Sequence, residues 1–264
     1  MSLSHTSVHL SLKGYINLNH IIRINVVGGS ATTAFALPDE KWAWPTLVGE
    51  LIPKSQVQHS SQAGLTLVKS ISLINNLPQS EVLVLHFGTS VGWPIPLVEV
   101  GYKFGFEIHN EAAFHQPPKP YSGPPSVQIK KKVRLRLRNL IKYLLFFVGA
   151  YKPKVSIREI EDQVRAVLAI ASKHTSRIIW VQHRSLQSMR IIVERKMYNR
   201  YYKRFIAAIK VNAPDNLTLV ELGPDFLIPE NYLMDGVHLS EQGHYVLAHR
   251  LADLIKEPGE KRSQ

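Results

Sequence analysis

The sequence feature that most strongly restricts the possible folds of this chain is a short apolar run near its start. Ile21 to Val27 is rich in β-branched residues and ends abruptly at Gly28-Gly29-Ser30. Runs of this length and composition fill strands that are buried on both faces of a parallel sheet. Glycines permit a tight turn after such a strand, and open α/β sheets bind ligands at the carboxyl ends of their strands. The stretch therefore predicts a central strand with Ser30 at the ligand-binding edge.

Strand and helix patterns alternate along the rest of the chain. Strands are predicted at 56–59, 81–87, 178–181 and 217–222, and helices at 44–52, 65–77, 156–173, 194–210 and 240–255. Such alternation favours right-handed crossovers and a parallel sheet with helices on both faces. We therefore predict an α/β fold, a three-layer α/β/α sandwich of flavodoxin-like type with a five-stranded parallel sheet.

Length and composition indicate one large domain. The chain has 264 residues, 45% of them hydrophobic and 20% charged, and no cysteine, which excludes disulfides and cysteine nucleophiles. We predict a loosely ordered leader at 1–20, a single domain at 21–257 with an irregular insertion at about 93–150, and a tail at 258–264. Because no signal-peptide pattern and no apolar window of membrane-spanning length occur, a cytoplasmic location is expected.

A second polar stretch, Met234 to His244, contains the groups that a serine nucleophile needs. Asp235 stands three residues before His238, and such an aspartate can hold imidazole Nδ1 while Nε2 faces outward. A serine that contacts Nε2 is an activated nucleophile. The alternative is an Asp-Gly turn followed by a helix N-cap at Ser240, with the histidine between them. The second stretch alone leaves both interpretations open.

Four blocks, taken together and in this order, resemble the SGNH, or GDSL-type, hydrolase family. The resemblance covers residues 21–90 and 155–255 and leaves the insertion outside it. The blocks are Val27-Gly28-Gly29-Ser30, a glycine at Gly64, Gly88-Thr89-Ser90 and Asp235-Gly236-Val237-His238.

The resemblance implies a role for each matched residue. Ser30 is expected to be the nucleophile, His238 its general base and Asp235 the carboxylate that orients the imidazole. The oxyanion hole is expected to combine the backbone N–H groups of Ser30 and Gly64 with a side-chain donor at Ser90. No cofactor and no metal is implied. The expected function is hydrolysis of an O-acyl ester of a carbohydrate or lipid-like molecule through a Ser-His-Asp triad.

Two positions depart from the family pattern. Gly29 stands where the family usually has aspartate, and Ser90 replaces the usual asparagine. Loss of one oxyanion donor costs about 10² to 10³ in rate, and a hydroxyl from Thr89 or Ser90 reaches less far than an amide. Reduced efficiency is therefore expected. A catalytically weak or inactive scaffold that binds an anionic partner, and an acyltransferase with the same triad, remain as alternatives.

Other ligand chemistries are less well supported by the residues. The glycines before Ser30 could cradle a phosphate, but neither a Walker-type Lys-Ser/Thr pair nor a complete Gly-x-Gly-x-x-Gly is present. His238, His244 and Asp235 lack the His-Glu-x-x-His spacing of a zinc site. His86 and His183 follow predicted strands and are interpreted as structural.

The positive charge of the chain is concentrated in the insertion. The net charge is +12, and no acid occurs between Lys130 and Lys154, where Leu137, Leu140, Ile141, Leu144, Leu145 and Val148 share one helical stripe. A solvated helix face is the simplest interpretation. Docking to an anionic polymer or a membrane surface is the functional alternative, and nucleic acid is least favoured because the aromatics form no stacking platform. The residues proposed for this contact are Lys130, Lys131, Lys132, Arg134, Arg136 and Arg138.

Overall fold

A computed structural model of the chain describes residues 20–35, 37–62, 64–87, 94–96, 151–153, 155–182, 192–233 and 238–257, with single positions between 133 and 148. The predicted leader, 1–20, lies outside the described residues except for His20, and the predicted tail, 258–264, lies wholly outside them. The strands are β1 (Ile22–Gly28), β2 (Ser55–Ser61), β3 (Ser80–His86), β4 (Pro94–Pro96), β5 (Tyr151–Pro153), β6 (Thr175–Gln182) and β7 (Leu217–Glu221). The helices are α1 (Trp44–Leu51), α2 (Leu67–Asn75), α3 (Ile157–His174), α4 (Ile192–Val211) and α5 (Glu241–Lys256), with 3₁₀ turns at Glu40–Trp42 and Pro229–Asn231.

Five strands form one parallel sheet in the order β2-β1-β3-β6-β7. The predicted α/β class and the five-stranded parallel sheet are confirmed. From β1 the chain moves to β2 on one side and then to β3 on the other. This reversal creates a crevice at the carboxyl ends of β1 and β3, where open α/β sheets bind ligands. Ser30 comes two residues after Gly28, the last residue of β1.

Alternating side chains divide the core between the two faces of the sheet. In β1, Val27 contributes to one apolar cluster, whereas Ile24 and Val26 contribute to the other. Residues of α2, α3 and α4 complete the first cluster, and residues of α1 and α5 complete the second. The sheet is therefore buried on both faces, which explains why its central strands are nearly continuous apolar runs.

The helix ends follow the local sequence, whereas packing decides which faces are buried. A capping box of Ser156 and Glu159 begins α3. In α2, Val68 is apolar but 55% exposed. The buried face carries Leu67, Ser70 and Ile74, which recur at intervals of three and four positions.

The insertion is closed at its base by an antiparallel ladder. β4 pairs with β5, so Pro94 lies opposite Pro153 although the intervening chain is more than fifty residues long. The prediction of an insertion without regular structure is corrected at these ends. The described positions from Val133 to Phe147 are helical, as their apolar spacing predicts. Within the described part of the chain, no helix combines the length and apolar character needed to cross a bilayer.

Candidate active site

A tight turn after β1 presents Ser30 at the sheet edge. The Gly29 N–H donates to the carbonyl of His86 at 3.0 Å, which ties the start of the turn to the end of β3. The Thr32 N–H donates to the Gly29 carbonyl at 2.9 Å, and Thr33 Oγ1 donates to the Ser30 carbonyl at 2.9 Å. The backbone around Ser30 is thus held from both sides.

Gly28 is required by the close approach of its neighbours. A Cβ at this position would lie 1.9 Å from Thr32 Oγ1 and 2.8 Å from the carbonyl oxygen of His86. The latter atom is backbone and cannot move aside without shifting β3. Gly28 is therefore needed for the close packing of β1 against β3 and the turn that follows.

A short loop before α5 carries His238. Tyr232 and Leu239 form an antiparallel bridge, and the Leu233 N–H donates to the His238 carbonyl at 2.8 Å. Ser240 caps α5, since its Oγ accepts from the Gly243 N–H at 3.1 Å. The predicted N-cap is confirmed. The Asp235-Gly236 turn lies outside the described residues.

The fold brings the two predicted stretches together. His238 Nε2 lies 3.0 Å from Ser30 Oγ, although 208 residues separate the two along the chain. This is hydrogen-bond distance, the geometry required between a nucleophile and its base. Asp235, Thr89 and Ser90 lie outside the described residues.

Gly64 lies in the turn after β2, at the same edge of the sheet. The Gln62 N–H donates to the Gly28 carbonyl at 3.1 Å, so the end of β2 remains attached to the end of β1. Gly64 has φ of +68°, a left-handed conformation that favours glycine. A Cβ there would meet none of the described residues within 4 Å, and Gly64 is exposed.

Phe35 contacts the imidazole and was not identified from the sequence. Its ring stacks on that of His238 with the centroids 4.1 Å apart and an interplanar angle of 24°. Phe35 is 39% exposed, so it forms part of the surface beside the serine. No local pattern marks this residue. The only available signal was an aromatic side chain five positions after Ser30 in a segment of small residues.

A buried hydrogen-bonded group lies close to this turn. Trp44 Nε1 donates to His86 Nδ1 at 3.2 Å, and the Trp44 backbone N–H donates to His244 Nδ1 at 3.1 Å. Trp44 and His86 are fully buried, and His244 is 1% exposed. The interpretation of His86 as structural is confirmed, and His183 lies outside the described residues. His244 uses Nδ1 to anchor the start of α1.

Comparison with known proteins identifies the fold. No protein-family model matches the chain, and no curated protein sequence matches it. A lipase/acylhydrolase from Enterococcus faecalis is similar in structure, with 13% identity, a TM-score of 0.55, and coverage of 91% of this chain and 100% of that one. A G-D-S-L family lipolytic protein from Veillonella parvula has 11% identity, a TM-score of 0.54, and coverage of 89% and 99%.

An acetylxylan esterase from Geobacillus stearothermophilus, solved as a catalytic mutant, is also similar. Its identity is 12%, its TM-score 0.52, and the coverage 90% of this chain and 95% of the esterase. All three similarities extend over nearly the whole of both chains. The chain therefore has the fold of the SGNH/GDSL-type hydrolases, as the sequence resemblance implied.

Proposed function

We propose that this chain is a serine esterase of SGNH type that hydrolyses an O-acyl ester of a carbohydrate or lipid-like molecule. The observation that carries the proposal is the 3.0 Å contact between Ser30 Oγ and His238 Nε2. Its location at the carboxyl edge between β1 and β3 supports the proposal, since this is where open α/β sheets bind ligands. The similar structures include proteins described as a lipase/acylhydrolase and an acetylxylan esterase.

The proposed chemistry proceeds through an acyl-enzyme. Ser30 Oγ attacks the acyl carbon while His238 Nε2 takes the hydroxyl proton, and the imidazolium then gives that proton to the departing alkoxide. A water molecule next attacks the ester on Ser30, with His238 again acting as base. Breakage of the acyl–oxygen bond releases the carboxylic acid and restores the serine. Asp235 is assigned to Nδ1 of the imidazole, where a carboxylate stabilises the charged ring.

The backbone N–H groups of Ser30 and Gly64 are assigned as the hydrogen-bond donors that stabilise the oxyanion. The exposure of Gly64 supports this assignment because an acyl group has to approach its backbone closely. Ser90 replaces the asparagine that the resemblance leads one to expect. A weaker third donor lowers the rate by up to about 10³-fold, so slow turnover is expected.

Replacement of the nucleophile tests the proposal. Ser30→Ala is expected to lower kcat/KM for a short-chain aryl ester by at least about 10³-fold. Without the hydroxyl the acyl-enzyme cannot form, and only direct attack by water on the ester remains. Labelling by a fluorophosphonate, followed by intact mass, is expected in the unmodified chain and not in the variant. The matched control is Ser72→Ala, an exposed serine on α2. Undiminished turnover or labelling of Ser30→Ala would contradict the proposed mechanism.

The alternative is a scaffold of the same fold that binds without catalysis. Ser90 at the oxyanion position and the basic insertion favour it. In that case the chain shows neither turnover nor labelling at Ser30. Transfer of the acyl group to a sugar hydroxyl instead of water uses the same residues, and product analysis with and without a hydroxyl acceptor separates transfer from hydrolysis.

A further inference from the structure

The helical part of the insertion exposes an unusual amount of apolar surface. Six of its described apolar side chains are between 55% and 80% exposed, whereas Ile141 is partly buried. The six exposed residues follow one another at intervals of three or four positions, apart from the adjacent final pair, so they share one face of the helix. An amphipathic helix normally packs such a stripe on the core, and here the stripe faces solvent. The apolar stripe consists of Val133, Leu137, Leu140, Leu144, Phe147 and Val148.

The same stretch of sequence is strongly basic. Nine lysines and arginines occur between Lys130 and Lys154, and the nearest acids are Glu111 and Glu159. Cations also occupy sequence positions between members of the apolar stripe, at Arg134, Arg136, Arg138 and Lys142. The segment therefore combines an exposed apolar face with a large uncompensated positive charge.

This combination distinguishes between the partners that such a surface can have. A second copy of the chain would cover the apolar stripe but bring two strongly basic segments together, which like-charge repulsion opposes. A soluble anionic polymer would neutralise the cations but leave the apolar side chains in water. A membrane that contains anionic lipids satisfies both, since its headgroups attract cations and its acyl boundary accepts apolar side chains.

We propose that the apolar stripe and the cations of the same stretch of sequence dock the protein on an anionic lipid surface. The apolar stripe is immersed at the level of the headgroups, and lysines and arginines of the segment contact lipid phosphates. The segment does not cross the bilayer, because cations recur along its length and an apolar stretch of spanning length is lacking.

The position of the insertion relates this surface to the candidate active site. The insertion leaves the main sheet after His86, at the carboxyl end of β3. β1 pairs directly with β3, with Gly28 opposite His86, so Ser30 follows at the same edge. The insertion therefore begins at the edge of the sheet that carries Ser30. The docking itself is independent of the proposed esterase, whereas access to an acyl lipid through it rests on that function.

Sedimentation with vesicles tests the docking. The full chain is expected to sediment with vesicles that contain roughly one third phosphatidylglycerol and to bind pure phosphatidylcholine at least about tenfold more weakly. Binding to the anionic vesicles is expected to fall as salt is raised. The double variant L137E/L144E is expected to lose binding by at least about tenfold, because charged side chains cannot enter the acyl boundary.

The controls separate docking from misfolding and from catalysis. Val211 is 84% exposed at the end of α4, so Val211→Glu makes the same type of change elsewhere and is expected to bind as the unmodified chain does. Ser30→Ala is expected to retain full vesicle binding, which makes failure of the esterase distinguishable from failure of the docking. Thermal unfolding of L137E/L144E is expected at the unmodified midpoint, because both leucines are already exposed.

Three results would overturn the proposal. The first is equal binding to neutral and anionic vesicles, or binding to neither. The second is retention of vesicle binding by L137E/L144E. The third is the absence of vesicle binding together with self-association, or with retention on heparin, because the stripe would then serve a second copy or a soluble polyanion.

Discussion

Two histidines near the same edge of the sheet occupy different environments. His238 is partly buried, contacts Ser30 Oγ through Nε2 and has Phe35 stacked on its ring. His86 is fully buried and accepts the indole N–H of Trp44 at Nδ1, which places the proton of the neutral ring on Nε2. One imidazole thus faces a hydroxyl at the sheet edge, whereas the other contributes a hydrogen bond to the core. The residue type alone does not decide which role a histidine has.

Replacement of His238 is expected to have the largest effect, and it tests the role of this histidine at the sheet edge. His238→Ala is expected to lower kcat/KM for an aryl ester by about 10³- to 10⁶-fold, since Ser30 loses its general base. The midpoint of thermal unfolding is expected to change little because the ring lies at the surface of the site. The control is His59→Ala, an exposed histidine on β2. Steady-state kinetics and a melting curve give both readouts.

Loss of the buried hydrogen bond between Trp44 and His86 is expected to lower stability and to leave activity unchanged. Trp44→Phe keeps most of the apolar contact of the indole but removes its N–H, which leaves His86 Nδ1 without that donor. Thr32 Oγ1 lies 3.4 Å from the same nitrogen and remains in the variant. The expected loss is therefore that of one hydrogen bond, about 0.5–1.5 kcal/mol in the free energy of unfolding in urea. Activity per folded molecule is expected to persist.

Trp42→Phe is the matched control for the buried group, because Trp42 lies in the 3₁₀ turn and is only half-buried. An equal loss of stability in the two variants would show that the Trp44 hydrogen bond contributes nothing. Loss of activity without loss of stability in Trp44→Phe would remove the distinction between the two histidines.

Phe35 provides the smallest and most specific test. An aromatic face beside an imidazolium is worth roughly 0.5–1 kcal/mol, so Phe35→Leu is expected to lower kcat about two- to fivefold with KM nearly unchanged. Phe35→Tyr is expected to restore kcat, because it keeps the stacked ring. This pattern identifies Phe35 as a positioning residue that acts through His238.

Tyr245→Leu is the control for Phe35. Tyr245 packs against a different imidazole, that of His249, with the ring centroids 4.3 Å apart, and is 51% exposed. Its replacement is expected to leave both kinetic constants unchanged. A Phe35→Leu variant that changes KM alone would assign Phe35 to substrate binding instead of to positioning of the base.

Local patterns identified the elements of the main sheet more reliably than their packing. The strands β1 and β3 were predicted within one or two residues, because a strand buried on both faces leaves a continuous apolar run. The sequence does not show which face of α2 is buried, since Val68 and Leu67 are both apolar and only the packed helix distinguishes them. The pairing of β4 with β5 was missed because each strand has only three residues.

The sequence by itself determined the α/β class, the turn after β1 and the capped turn before α5. Each of these depends on interactions between residues close together in the chain. Only the tertiary structure decided that Ser30 and His238 meet at 3.0 Å and that Phe35 stacks on the imidazole. It also decided that the apolar stripe of the insertion remains in solvent. Contacts between distant segments depend on how whole layers pack, and no local period in the sequence encodes that arrangement.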